Sequence, residues 1–144
     1  DGDLPSLYAS LVSFDGAWTT DQAKFKTPQD FVYSSLRAFE IVPREDRQLL
    51  APFELLGQPH FKPGSPAGWP DRASDWDGAD ALMKRIEWSS ALAGRLGDAR
   101  SAREAGRSAL GDLLSAHTAN AVDHAASGSQ ALALLLMSPE FQRR

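Results

Sequence analysis

Apolar residues recur along this chain at helical spacing, and short runs of proline, glycine and capping residues separate the periodic segments. In the first segment, the apolar residues follow the i, i+3, i+4, i+7, i+8 pattern of one helix face: Leu4, Leu7, Tyr8, Leu11 and Val12. Asp15 and Gly16 end the segment. The pattern predicts an amphipathic first helix.

A second helix is predicted to begin at the sequence Thr-Pro-Gln-Asp. Thr27 suits the N-cap, Pro28 suits the first helical position, and Asp30 places negative charge near the positive end of the helix dipole. The apolar residues that follow define the face that we expect to be buried: Phe31, Val32, Leu36 and Phe39.

A third helix is predicted from Arg44 to Leu56. Gly57 follows it and suits a left-handed C-cap, because glycine adopts positive φ without steric cost. Pro52 predicts a kink or a later start, since proline lacks the backbone N–H that a helix interior uses.

The segment Leu56–Pro70, LGQPHFKPGSPAGWP, holds four of the nine prolines. Prolines restrict the backbone and reduce the entropy that a loop loses when it adopts one shape. Phe61 and Trp69 are its large apolar side chains, so we expect them to anchor the loop, with Trp69 mostly buried. Trp76, just beyond the loop, is expected to be at least partly buried.

A fourth helix is predicted to begin at Asp77 or Gly78 and to end at Gly97. Its apolar residues predict the buried stripe: Leu82, Met83, Ile86, Leu92 and Leu96.

Further capping residues predict the remaining helices. Ser101 with Glu104 and Ser127 with Gln130 are capping-box pairs. Gly111 is predicted to end the fifth helix, and Ser115 is predicted to cap a sixth helix that runs to about Ala126. A last helical turn is predicted to begin at Pro139, with Ser138 as its cap. Alternation typical of strands is scarce. We therefore predict an all-α fold, a compact bundle of about six or seven helices with a long ordered Pro-rich loop after the third helix.

Composition narrows the class of protein. The length of 144 residues suits one helical domain over residues 1–144. A net charge of -4 argues against nucleic acid as a partner. Cysteine is absent, which excludes disulfides, thiolate metal sites and a thiol nucleophile. The longest apolar run, Ala131–Met137, is far shorter than the ~20 residues of a membrane span.

No stretch of the sequence predicts a metal, a cofactor or a catalytic residue. His117 and His124 lie two helical turns apart, roughly 10 Å, which is too far for one metal ion. The acidic group of Asp71, Asp75, Asp77 and Asp80 misses the calcium-loop spacing and gathers where a helix begins. A G-x-S-x-G nucleophile motif is also absent.

Six residues are candidates for binding. Arg37 and Arg85 each lie beside apolar neighbours. An arginine in such a position either binds an anion or forms buried hydrogen bonds to the proline-rich loop. Trp69 and Trp76 flank Asp71 and Arg72. If the tryptophans are exposed, they can stack on sugar rings or bind a partner protein; if they are buried, they complete the core.

Several motifs occur in order from about Lys24 to Arg144: KFKTPQDFVYSSLRAF, LLGQPHFKPGSPAGWP followed by Trp76, LMKR, and LLLMSPEFQRR. Together they resemble the C-terminal part of the bacterial family called domain of unknown function 1800. Lys24 or Lys26, Pro28, Arg37 and Arg85 fit its other fixed positions. The resemblance implies a C-terminal fragment of a longer, largely helical and commonly exported protein. The family's activity is not established, so no catalytic residue carries over.

The leading hypothesis is a non-catalytic structural or interaction module of an exported or envelope-associated bacterial protein, periplasmic or at the cell surface. Its expected partners are the remaining N-terminal portion of the same protein, another envelope protein or a polysaccharide. The face Leu4–Val12 and Trp18 are the candidates for the surface which that portion covers. The alternatives are glycan or surface-polymer binding through the Trp69 and Trp76 loop, and part of an enzyme whose catalytic groups lie in the missing N-terminal portion.

Overall fold

Helices form most of the chain, which confirms the predicted all-α class. The computed structural model describes residues 2–18 and 22–144. These residues form eight α-helices: α1 Leu4–Val12, α2 Pro28–Ala38, α3 Asp46–Leu55, α4 Ala79–Leu96, α5 Ala102–Leu110, α6 Ala116–Asp123, α7 Gly128–Met137 and α8 Pro139–Gln142. The same residues contain no strand, only one isolated bridge between Phe25 and Arg143.

The predicted capping residues begin the helices. At α2, the Thr27 hydroxyl accepts a hydrogen bond from the Asp30 N–H at 3.2 Å, and the Asp30 carboxylate accepts one from the Thr27 N–H at 3.3 Å. Serines cap four further helices by accepting a backbone N–H at the third helical position: Ser101, Ser115, Ser127 and Ser138. Each such cap stabilises a helix by about 1 kcal/mol.

Glycines end α3, α4 and α5 close to the predicted points. Gly57, Gly97 and Gly111 have φ values of 87°, 52° and 53°, the left-handed region in which other residues are strained. The predicted bounds of two helices are wrong by a few residues. Helix α3 begins at Asp46 and continues through Pro52, and α6 ends at Asp123, short of Ala126.

The core forms around α7, which packs along α4 and is flanked by α5 and α6. Leu132, Leu135 and Leu136 of α7 are fully buried. Phe31 of α2 lies between two other rings of the core in edge-to-face contacts, 5.4 Å from Trp88 and 6.2 Å from Phe141. Such pairs stabilise a core by about 0.5–1.5 kcal/mol beyond the burial of their area.

The segment before α2 pairs with the end of the chain. The Lys24 N–H donates to the Arg144 carbonyl at 3.1 Å, and the Arg144 N–H returns a bond to the Lys24 carbonyl at 2.8 Å. The Lys26 N–H donates to the Gln142 carbonyl, also at 2.8 Å. These bonds hold residues 24–26 against the end of α8 and the residues that follow it.

The predicted buried stripe of α4 is wrong in part. Met83 and Ile86 are exposed and Leu82 and Leu96 are half-buried, so that Leu92 alone of the predicted stripe is buried. The buried face is rotated toward less apolar positions: Arg85, Trp88, Ser89, Leu92 and Ala93. Apolar spacing misplaced the face because a buried arginine and a buried serine occupy core positions of this helix.

The proline-rich segment also differs from the prediction. Phe61 was expected to anchor it, but its side chain is 87% exposed and its φ is 55°. The described stretch from Gly57 to Arg72 contains turns and no helix. Its more buried residues lie toward its two ends, with Gln58 buried at the start and Trp69 half-buried near the end.

Candidate functional site

Arg85 is a buried cation at the junction of α4, α8 and the segment before α2. Its side chain is 1% exposed. One guanidinium nitrogen donates to Gln142 Oε1 at 2.6 Å, and the other donates to the Lys26 carbonyl at 2.6 Å. Neither partner lies in the proline-rich loop, so the predicted structural tie exists but joins other segments.

Aromatic rings enclose the same guanidinium. Its Cζ lies 4.5 Å from the Phe25 ring centroid and 5.0 Å from that of Phe31. Burial lowers the pKa of Arg85 to about 10, and the nearby Asp30 carboxylate opposes this shift. The guanidinium therefore remains charged near neutral pH, where cation–π contacts and hydrogen bonds compensate for its lost hydration.

Trp69 and Trp76 pack against each other, with their ring centroids 6.4 Å apart. Trp76 is 6% exposed and its indole N–H donates to the Pro70 carbonyl at 3.1 Å. Trp69 is half-buried, although it was expected to be the more deeply buried of the two. This geometry favours internal packing over an open stacking platform, and glycan binding at these residues stays a prediction.

Asp71 and Arg72 are both exposed and lie between the two tryptophans in sequence. Lys24 forms an ion pair with Asp71, and this hydrogen bond and charge lower the pKa of the Asp71 carboxyl. The Arg72 N–H donates to the Asp75 carboxylate at 3.3 Å. The Lys24–Asp71 ion pair thus connects the segment before α2 to the residues that follow the loop. A role of Asp71 and Arg72 in binding stays a prediction.

Arg37 is exposed on α2 and shares no hydrogen bond or ion pair with Arg85 or the tryptophans. It lines a cavity of about 360 Å³ between α2 and α5, together with the buried Lys26. Sequence reasoning noted Lys26 only as a match to the family and not as a site residue. Helix spacing cannot reveal its environment, because the cavity forms only when α5 packs against α2.

The other titratable candidates are dispersed on the surface. His117 and His124 are both exposed, and His124 Nδ1 lies 2.9 Å from the Asn120 carbonyl oxygen. Within residues 2–18 and 22–144, no group of three histidine, aspartate or glutamate side chains is arranged to hold a metal ion.

The N-terminal arm, residues Leu4–Trp18, exposes its apolar side chains. Seven of them are between 55% and 67% exposed: Leu4, Leu7, Tyr8, Leu11, Val12, Phe14 and Trp18. The Trp18 indole donates to the Val12 carbonyl at 2.7 Å, which folds the end of the arm back onto α1. Helix α1 has no buried residue and makes no extensive contact with another described helix.

A second apolar surface is the α3–α4 groove, a depression of about 670 Å³ between α3 and the C-terminal half of α4. Apolar residues from both helices, from the end of α2 and from the loop after it form most of its wall: Leu36, Ile41, Ala51, Pro52, Leu55, Trp88, Leu92 and Leu96. Glu45, Arg47 and Arg95 also line it and add charge.

Residues 1–143 match the protein family described as "Protein of unknown function (DUF1800)". The chain belongs to the DUF1800 family. The match covers the N-terminal arm and the helical core alike, and it confirms the resemblance first seen in separated motifs. No curated protein and no solved structure matches this DUF1800 chain.

Family membership assigns no activity to these surfaces, since the family is described as one of unknown function. None of the helices in the described part of this DUF1800 chain combines the length and the hydropathy of a membrane-spanning segment.

Proposed function

We propose that this chain is a non-catalytic interaction module, and that the N-terminal portion of a longer polypeptide covers its N-terminal arm and α3–α4 groove. The observation that carries the proposal is the exposure of the seven apolar side chains of the arm. Contiguous apolar patches on soluble proteins mark interaction surfaces, because exposed apolar area is unfavourable in water. Burying one large apolar side chain contributes roughly 1.5–3 kcal/mol.

The α3–α4 groove is a second apolar surface that supports the same proposal. A groove with apolar walls and a few charges at its edge fits a helix that lays its apolar face inward. Arg47 and Arg95 favour an acidic segment there, because an unpaired buried cation would be destabilising.

A segment of the same polypeptide is the occupant that we favour. The family resemblance implies members much longer than this chain, with additional residues before the part that matches it. A covalently linked partner acts at high effective concentration, so a modest interface suffices to keep it bound. The same resemblance supports our proposal that the protein is exported and remains in the bacterial envelope.

Hydrogen exchange on this chain and on the full-length native protein tests the proposal. We expect α1 amides to exchange rapidly in the isolated chain and to be protected in the full-length protein, with added protection in α3. The amides of α7 serve as an internal control, since this helix is buried in both samples. Equal exchange of α1 in the two proteins would contradict the proposal.

Light scattering of the isolated chain distinguishes a competing occupant. A monomer with an unprotected α1 agrees with the proposal. A concentration-dependent dimer with protected α1 amides would show that a second copy covers the arm and would overturn it. Fractionation of native cells tests the location separately, and recovery of the protein in the cytoplasm alone would contradict export.

A further inference from the structure

The α3–α4 groove carries charges that no other described residue neutralises. Three of the described residues that line it are charged, namely Glu45, Arg47 and Arg95, and all three are exposed. Five ion pairs join other described residues, and none of them includes these three side chains. The groove therefore has a net positive charge, although the whole chain carries a net charge of -4.

The two arginines retain N–H donors for a partner. The Arg95 Nε–H donates to the Ala91 carbonyl at 3.2 Å, which leaves the terminal nitrogens of that guanidinium for another acceptor. The Arg47 side chain has no hydrogen-bond partner among the described residues. A guanidinium presents a planar fork of N–H groups that matches a carboxylate, so two acidic side chains would complete these two residues.

The shape of the groove fits a short helix. The groove runs along α3, whose ten residues span about 15 Å at 1.5 Å per residue. Trp88 and Leu92 of α4 are buried beneath it and give it an apolar base. A helix of about three turns would place apolar residues at i, i+3 or i+4, and i+7 against this base. Because Arg47 belongs to α3 and Arg95 to α4, the two cations lie on different walls of the groove.

We propose that an amphipathic helix fills the α3–α4 groove, with an acidic side chain on each side of its apolar stripe, opposite Arg47 and Arg95, and a basic side chain opposite Glu45. The proposal rests on the proposed function, because it takes this helix from the N-terminal portion of the same polypeptide. Covering a charge removes its hydration, which is unfavourable unless the partner supplies the opposite charge. A basic helix would oppose both arginines with like charge, so the groove discriminates against it.

Helix α1 does not have this charge pattern. Its residues, Leu4–Val12, include no acidic or basic side chain. The nearby carboxylates of Asp3 and Asp15 lie beyond its two ends and not beside its apolar stripe. Neither the arm of this chain nor the arm of a second copy therefore supplies the two carboxylates, which favours a different segment as the occupant.

Cross-linking of the full-length native protein identifies the partner side chains. A carbodiimide joins a lysine amine to a carboxylate in contact with it through an amide bond. In the single variants Arg47→Lys and Arg95→Lys, we expect cross-links to aspartates or glutamates of one segment in the N-terminal portion. Arg44→Lys is the matched control and should not form them, because Arg44 is exposed but does not line the groove.

Three outcomes of this experiment would overturn the proposal. A cross-link to Asp3 or Asp15 would place the arm in the groove. A cross-link between two polypeptides, seen as a doubled mass under denaturing conditions, would place a second copy there. A lack of any cross-link from both variants to the N-terminal portion would show that no carboxylate faces the arginines.

Hydrogen exchange of α3 in the full-length protein provides a second test. Arg47→Glu with Arg95→Glu should raise the exchange rates of the α3 amides at least about tenfold, since each reversal brings like charges together. Arg44→Glu with Arg107→Glu is the matched control, because it makes the same change of charge at exposed positions outside the groove. We expect this control to leave the α3 rates unchanged.

The two proposals fail in different ways. If α3 is equally protected in the wild type and in the groove variant, the charge pattern is overturned while the proposed function stands. If α3 is no better protected in the full-length wild type than in the isolated chain, the groove has no occupant, and both proposals are contradicted at this surface.

Discussion

Arg85 joins three segments that are distant in sequence. Its two hydrogen bonds, each 2.6 Å long, reach Gln142 and the Lys26 carbonyl across 57 and 59 residues. We expect Arg85→Ala to reduce the free energy of unfolding by about 3 kcal/mol, because it leaves two buried acceptors without a donor. Urea denaturation followed by circular dichroism measures this change.

Lys84→Ala is the neighbouring control for this prediction. Lys84 pairs with Asp80 at 2.7 Å on the surface of α4, where both side chains are in contact with solvent. An exposed pair of this kind contributes under about 1 kcal/mol. If the two variants unfold at the same urea concentration, Arg85 does not have the structural role assigned to it.

Lys26 makes the stability of the fold dependent on pH. Its pKa is lowered from 10.5 to about 8 in the folded chain, mainly by burial. Between these values the unfolded chain binds more protons than the folded one, so the free energy of unfolding rises with pH. Below this window both states are protonated and the effect of Lys26 is constant.

Urea denaturation of the wild type and of Lys26→Met between about pH 7.5 and 9.5 measures how the free energy of unfolding changes with pH. We expect the wild type to gain stability over this range and the variant to show a flatter profile. A wild-type profile that falls, or one that Lys26→Met leaves unchanged, would contradict the burial of a protonated lysine.

At the scale of elements, helix ends were predictable because their signals are local. Thr27, Ser115 and Ser138 each cap a helix through an N–H only three residues away. The buried face of α4 was not predictable in the same way. Its position depends on Arg85, whose partners lie far away in sequence, and local apolar spacing contains no information about them.

The aromatic residues in and just after the proline-rich segment are predicted to contribute to stability in a definite order. Trp76→Ala should destabilise by about 3 kcal/mol, the lower end for a buried tryptophan, because Trp76 packs outside the main core. Trp69→Ala should reduce the free energy of unfolding by less, since Trp69 is only half-buried beside Trp76. Phe61→Ala should change stability by under about 0.5 kcal/mol.

Chemical denaturation of the three variants under one condition measures this order. The Phe61 variant is the control, because its side chain contacts mostly water. If Trp69→Ala lowers the free energy of unfolding more than Trp76→Ala does, Trp69 rather than Trp76 is the main packing residue of this region. If Trp69→Ala leaves stability unchanged but abolishes binding to a polysaccharide, the glycan-binding hypothesis becomes the better one.

At the scale of the whole molecule, apolar residues divide between a closed core and an open arm. Periodicity predicted α1 as a helix, yet the same pattern occurs whether its apolar face meets this chain or another segment. The cavity between α2 and α5 was likewise hidden, because Lys26 and Ser108 come together only through helix packing. Sequence reasoning therefore located helices better than it located surfaces and cavities.

The last prediction separates the arm from the core. Leu7 and Leu11 lie on one face of α1 and are 61% and 60% exposed. In the isolated chain, the Leu7→Asp and Leu11→Asp double variant should shift the free energy of unfolding by under about 0.5 kcal/mol, because these side chains contact solvent. In the full-length protein, the same variant should destabilise by at least about 3 kcal/mol, since it places two carboxylates in an apolar interface.

Ala9→Asp with Ser10→Asp is the matched control, because it adds the same charge to α1 away from the centre of the apolar face. Thermal and urea unfolding of all three full-length proteins, with hydrogen exchange of α1, measure the difference. We expect the control to retain protection of α1 and the leucine variant to lose it. Equal behaviour of the two variants would mean that the leucine face makes no contact in the full-length protein, and the arm would then have no partner there.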